Sequence, residues 1–243
     1  MAYCSNRDAA VMSEFPNPIL RNQSRPARGT ITDRIFRILM SNPDGTLTAY
    51  KISKLAGAHQ YQVSLILRHL EDSKLVRRTS VTNYEGLLSK WARLGIKSQS
   101  QSYMLTNEMQ ILRNTKLPYA LTTYRAESLV NRYLFPTRTD LYISSKDVTA
   151  WHNLFVEKYA LVGGGNVRVR WYDDGVFYNS FMLEGYRIVS IPQLMVDLIR
   201  EGGVAVQAEE MMLKVYDQLL LLNKQNRLNP FADSANIQVT RNV

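Results

Sequence analysis

"HQYQVSLILRHLEDSKLV", residues 59–76, decides how the N-terminal half of the chain is read. Val63, Ile66, Leu67 and Leu70 recur at the spacing of one helix face, and Leu75 and Val76 then begin a strand. The opposite face carries Gln60, Tyr61, Gln62, Ser64 and Arg68, side chains that can touch a nucleic acid. An ordinary solvated helix has the same spacing, so the neighbouring segments settle the reading.

Upstream, "TITDRIFRILMSN" (30–42) places Ile31, Ile35, Ile38 and Leu39 on one helical stripe, with Thr30 as the expected N-cap. "NPDG" breaks it with turn chemistry. "TLTAYKISKLAGAH" (46–59) predicts a second, shorter helix. Thr48 caps it, Ile52 and Leu55 face inward, and Gly57 ends it in the left-handed conformation. Helix, short helix, glycine turn, third helix and strand predict a helix-turn-helix with a wing.

In such a unit the third helix enters the major groove. Gln60 and Gln62 suit adenine edges, Tyr61 and Ser64 suit phosphate or base, and Arg68 suits guanine or phosphate. Thr48, Lys51, Lys54, Arg77 and Arg78 flank them as phosphate-contact candidates. Many winged helices have glycine just before the strand; here that position is Lys74, at a place that favours a left-handed residue.

Charge follows the same division. Residues 1–118 carry 17 Lys/Arg against 8 Asp/Glu, whereas 119–243 carry 13 of each, so the net +9 lies wholly in the first half. That asymmetry suits a half that meets a polyanion. Residues 1–29, with Pro16, Pro18 and Pro26, read as a basic arm. "YEGLLSKWARLG" (84–95) predicts a helix inserted after the first wing strand, with Trp91 as core or interdomain packing. "SQSQS" reads as a flexible loop and "YMLTN" (103–107) as a strand.

Several classes are excluded as expectations. No apolar run reaches the roughly 18–20 residues of a membrane span, and no signal segment opens the chain. Cys4 is alone, and His59, His69 and His152 lack metal-site spacing. A cytoplasmic protein without cofactor or membrane partner is expected.

From Pro118 the pattern changes. "YALTTYRAESLVNRYLF" predicts a helix, "TDLYISS" a strand, "DVTAWHNLFVEKYAL" a helix and "NVRVRWYDD" an alternating strand. "VFYNSFMLEGYRIVS" adds one or two strands; "IPQLMVDLIREGG" and "VAVQAEEMMLKVYDQLLLLNKQ" add two helices. Met211, Met212 and the leucine run 219–222 read as a helix packed on its own domain or on a partner.

Three blocks, "EGLLSKWARL", "YALTTYRAESLVNRYLFPTRTDLYIS" and "YRIVSIPQLMVDLIREGGVAVQAEEMML", resemble the AbiEi family of antitoxin transcriptional regulators across roughly residues 30–220. The resemblance implies an α+β chain in which a winged helix (30–117) precedes a nucleotidyltransferase-like domain (118–228) and a tail (229–243). It also implies repression of an operon encoding a nucleotidyltransferase-type toxin. The corresponding triphosphate turn, "LTTYRAE", has neither glycine nor serine, and "TDLYIS" offers only Asp140 for a metal. Asp173 and Asp174 are adjacent and are expected to end their strand in a turn. No catalysis is therefore expected. The expected function is a double-stranded DNA-binding regulator, with a homodimer and a cognate toxin as further partners left open. The rivals are a divergent nucleotidyltransferase that holds a nucleic-acid substrate, and a protein-binding scaffold.

Overall fold

The computed structural model describes residues 29–96 and 98–226, with the backbone alone for Val215 and 217–226. The expected basic arm, apart from Gly29, and the polar tail lie outside the described residues, as do the side chains of the leucine run. The chain is mixed α+β. Its helical start comprises α1 (Thr30–Ser41), α2 (Ala49–Ala56) and α3 (Gln60–Asp72), followed by the hairpin β1 (Val76–Arg77) and β2 (Ser80–Val81). Then come α4 (Tyr84–Ala92), β3 (Gln99–Met104), α5 (Glu108–Asn114), β4 (Ala120–Thr122), α6 (Thr123–Val130) and β5 (Thr139–Tyr142). The rest is α7 (Val148–Glu157), β6 (Leu161–Val162), β7 (Val167–Trp171), β8 (Phe181–Leu183), β9 (Tyr186–Ile188), α8 (Ile191–Glu201) and α9 (Val204–Asn226).

The start follows its local chemistry. The Thr48 hydroxyl accepts the Lys51 N–H at 3.2 Å and caps α2, while Gly57 ends it at φ 63°. Gly29, not Thr30, holds the N-cap of α1, one residue from expectation. Val63, Leu67 and Leu70 are buried and Ile66 is half-buried, as their spacing requires. A hairpin closes within residues 76–81 through the pairs Val76↔Val81 and Arg77↔Ser80, and a lone bridge joins Asp44 to Ser80.

Leu55, expected to face inward on α2, is 40% exposed. Three further expectations are corrected. The "SQSQS" run is not a loop: it forms most of β3, which pairs antiparallel with both β7 and β6 in a seven-stranded sheet of order β6-β3-β7-β5-β4-β9-β8. A strand from the segment expected to belong to the winged unit thus sits inside the sheet. Ala120–Thr122 is a strand, β4, before α6 begins; its three residues are all buried. Leu161, expected at the end of a helix, instead forms the edge strand β6 with Val162.

The sheet has two unlike faces. Tyr103, Val167, Val169 and Leu141 share one face by register, and Tyr103 meets Phe155 of α7 edge-on with centroids 5.0 Å apart. Ser100, Arg168, Arg170, Asp140, Tyr142 and Thr122 share the other. That face meets α8, whose residues Ile191–Leu198 are all buried. Thr122 and Tyr142 donate to Asp197 at 2.6 and 3.1 Å. The layer between sheet and α8 is therefore polar, and its buried groups need partners to offset desolvation.

This polar layer continues into the helical start. Asp33 and Arg37, both 0% exposed, form an i,i+4 ion pair of 2.5 Å on α1. Asp33 also accepts from Trp91 Nε1 at 2.7 Å and from the Tyr172 hydroxyl at 3.0 Å. Arg37 donates to Gln193 of α8 at 2.8 Å, and Gln193 donates on to Asp197 at 2.9 Å. Burial works against the Arg37 charge, but Tyr172 and Asp33 outweigh it and hold the guanidinium above its ordinary pKa. A second clamp joins Arg34 to Asp173 at 2.5 Å and to the Ala56 carbonyl at 2.9 Å. Asp173 ends β7 in a turn as expected, and Trp91 is the joint packing that its sequence context predicts. Among the described residues no helix is long and apolar enough to cross a membrane.

Truncating Asp33 strands a buried charge. Asp33→Ala is expected to cost about 3–5 kcal/mol in urea unfolding. The double variant Asp33→Leu/Arg37→Met removes both charges and is expected to cost far less.

A pH effect follows from α9. Burial, then Glu210 and Glu85, push the Glu209 carboxyl from 4.5 up to about 7. The fold therefore favours the protonated form, which stabilises it fully below about pH 4.5; this contribution is lost as pH rises to about 7. Thermal unfolding of Glu209→Gln should show on the order of 1–2 kcal/mol of added stability at pH 8 and none at pH 4.

Candidate nucleic-acid interface

The outward surface of α3 is built by a simple division of labour. Val63, Leu67 and Leu70 are buried where the helix packs on α2 and β1, which leaves the residues between them outside. Gln60, Gln62, Ser64 and Arg68 are exposed, and Tyr61 is 75% exposed. None of these five side chains has a hydrogen bond or ion pair with another described residue. A long polar side chain without an internal partner loses nothing of the fold when it turns to a ligand. The N-terminus of α3 carries no side-chain cap at His59, so its first N–H groups are also unsatisfied within the chain.

Exposed cations stand on the neighbouring elements. Lys51 is exposed on α2 without a side-chain partner, and Lys54 lies over the Tyr50 ring at 5.4 Å. Arg77 and Arg78 are exposed at the hairpin, where Arg78 holds φ 58° and its N–H donates to Glu71. Thr48, Lys51, Gln60, Tyr61, Gln62, Ser64, Arg68, Arg77 and Arg78 all lie on the helical start and its hairpin. Thr48 has a second task there: its oxygen serves α2 as the cap. Leu65, 45% exposed on the same helix, is an apolar group that sequence reading assigned to neither face.

Lys74 resolves the missing-glycine question. It adopts φ 58° before Leu75, so the left-handed turn is made without glycine. The side chain stays exposed beside the hairpin and adds a cation.

A second cluster lies in "LTTYRAE" and "TDLYIS", the segments that the sequence resemblance sets against a triphosphate turn and a metal carboxylate. Thr123 starts α6 at φ 48°, an uncommon conformation for a β-branched residue, and its hydroxyl donates to Asp140. Asp140 is fully buried and also accepts from Arg138 at 3.1 Å and Arg168 at 2.5 Å. Its oxygens are thus committed to the hydroxyl and the two guanidiniums. Arg168 stands on β7 directly opposite Asp140. Glu201 receives Arg138 at 2.5 Å, Arg168 at 2.6 Å and Arg170 at 3.0 Å. The alternation of "NVRVRW" located this strand but concealed that its arginines face α8 rather than open solvent.

Comparison with known proteins gives no neighbour: no family model, curated protein or solved structure matches the chain.

The strained left-handed lysine yields a test of the hairpin turn. Lys74→Gly should raise stability by about 1 kcal/mol through relief of the positive φ, as read by chemical denaturation. Lys74→Val should lower it by a similar amount.

Proposed function

We propose that the chain is a double-stranded DNA-binding transcriptional regulator whose helical start is a winged helix-turn-helix. The observation that carries this reading is the α3 surface, where Gln60, Tyr61, Gln62, Ser64 and Arg68 are exposed without internal partners, on a helical start whose neighbouring elements expose further lysines and arginines. α3 lies in the major groove; Gln60 and Gln62 read adenine edges, and Arg68 reads guanine or holds phosphate. Lys51, Lys54, Lys74, Arg77 and Arg78 supply phosphate contacts and hence salt-dependent affinity.

The rest of the chain is a nucleotidyltransferase-like module without catalysis that serves interaction. Support comes from Asp140, whose carboxylate is occupied by Thr123, Arg138 and Arg168 and has little capacity left for a magnesium ion. The blocks that resemble AbiEi regulators support an autoregulating repressor, with a cognate toxin as protein partner and a homodimer on a two-fold operator.

Binding of the purified chain to its own upstream DNA, set against a shuffled duplex across a salt series, tests the reading. Preference for its own DNA is expected, with affinity falling steeply as salt rises. A Gln60→Ala/Gln62→Ala/Arg68→Ala variant that unfolds like the parent should lose about 3 kcal/mol or more of that preference. Removal of one phosphate-contact cation, as in Arg77→Ala, should leave the preference and reduce the salt slope by about 1. Equal affinity of parent and triple variant for both duplexes sinks the proposal.

A further inference from the structure

A cleft of about 280 Å³ opens between the end of α4, the sheet and α8. Arg168 and Arg170 of β7 and Arg200 of α8 line it, together with Ser98 and Ser100 at β3. Asp197 lies at its floor, where Thr122 and Tyr142 already donate to it. None of the DNA-contact candidates lines this cleft.

The local charge is not balanced. Arg37, Arg138, Arg168, Arg170 and Arg200 share four carboxylates, Asp33, Asp140, Asp197 and Glu201, with Arg200 no closer than 3.8 Å to either Asp33 or Asp197. Donors are also left over. Arg168 spends Nε on Asp140 and Nη2 on Glu201, which leaves Nη1 unpaired among the described residues. Arg200 spends Nε and Nη2 on the carbonyls of Ala92 and Trp91, and its Nη1 comes no closer than 3.8 Å to Asp197. The hydroxyls of Ser98 and Ser100 have no partner among the described residues. An excess cation, free guanidinium donors and two free hydroxyls around one concavity make a receptor for a compact oxyanion.

We propose that this cleft binds the phosphate group of a small molecule no larger than a mononucleotide. The phosphate lies between Arg168, Arg200 and the two serines, where an oxyanion meets unspent donors. The apolar Leu94 and Ile96 at the rim suit a non-ionic remainder of the ligand. The site stands independently of the DNA-binding reading and is tested without DNA.

The full chain is titrated with potassium phosphate against potassium chloride at matched ionic strength, and with adenosine 5′-monophosphate against adenosine, by calorimetry. Saturable heat from phosphate and from the monophosphate, with none from chloride or adenosine, is expected. Ser100 is exposed and pairs with Arg170 across β3 and β7, so substitution there spares the core. Ser100→Glu should weaken phosphate at least about tenfold by placing a fixed carboxylate among the guanidiniums, while Ser100→Lys should retain it. Failure of phosphate and the monophosphate to saturate, adenosine binding as well as the monophosphate, or equal effects of the two Ser100 variants would each overturn the site.

Discussion

Asp33 and Arg37 sit one turn apart on α1, both shut away from water, and the placement of the helical start on the sheet depends on them. Two bare charges at such a depth would be prohibitive. Their surroundings make them tolerable: Trp91 and Tyr172 donate to Asp33, and Gln193 accepts from Arg37. Each partner belongs to a different element, α4, the end of β7 and α8. One ion pair therefore determines where three elements stand relative to α1. An apolar joint of equal area could slide, since hydrophobic contact has no direction. A hydrogen-bonded joint has one arrangement that satisfies its donors, with Arg37 Nη1 the one left over.

The same logic runs through the polar layer between sheet and α8. One sheet face is apolar and aromatic and packs Tyr103 against Phe155. The other carries serines, arginines and Asp140 in register, and α8 answers with Gln193, Asp197 and Glu201. Asp197 shows the cost of this arrangement, because burial pushes its carboxyl up even though Arg170 and Arg200 pull it down. Where α8 and the α4–β3 connection part company, the polar layer reaches solvent and leaves the cleft. Its cationic lining is thus a consequence of how the layers pair.

How much of this was legible in the sequence varied with the physics involved. The stripe Val63, Leu67, Leu70, the cap at Thr48 and the stop at Gly57 are local, so residues a few positions apart suffice to specify them. Of β3 only the end, Tyr103 and Met104, was legible, because "QSQS" lacks the apolar alternation by which strands are found. One of its faces meets the polar layer and needs no hydrophobic residue. Alternation identified the strand of Arg168 and Arg170, but what its polar side faces depends on α8, which is distant in sequence. Lys74 lacked the glycine its position favours, yet the turn formed, since surrounding contacts outweigh about 1–2 kcal/mol of backbone strain.

The proposed DNA reading carries its own arithmetic about copy number. Gln60, Gln62 and Arg68 are the side chains of α3 best suited to base edges, and each good base contact discriminates by about 1–3 kcal/mol. One copy therefore commands about 3–9 kcal/mol at most. A genome presents about 10⁶–10⁹ competing sites, and each factor of ten costs about 1.4 kcal/mol. The discrimination required is then about 8–12 kcal/mol, beyond the middle of what one α3 supplies. Two copies on half-sites about 34 Å apart double the number of base contacts and reach it. Under this reading a dimer is a requirement of specificity, and the surface that forms it must leave both α3 faces open on the same side. The rigid joint at Asp33 and Arg37 serves that end, because half-site spacing is retained only if each α3 is fixed relative to the body that holds the pair together.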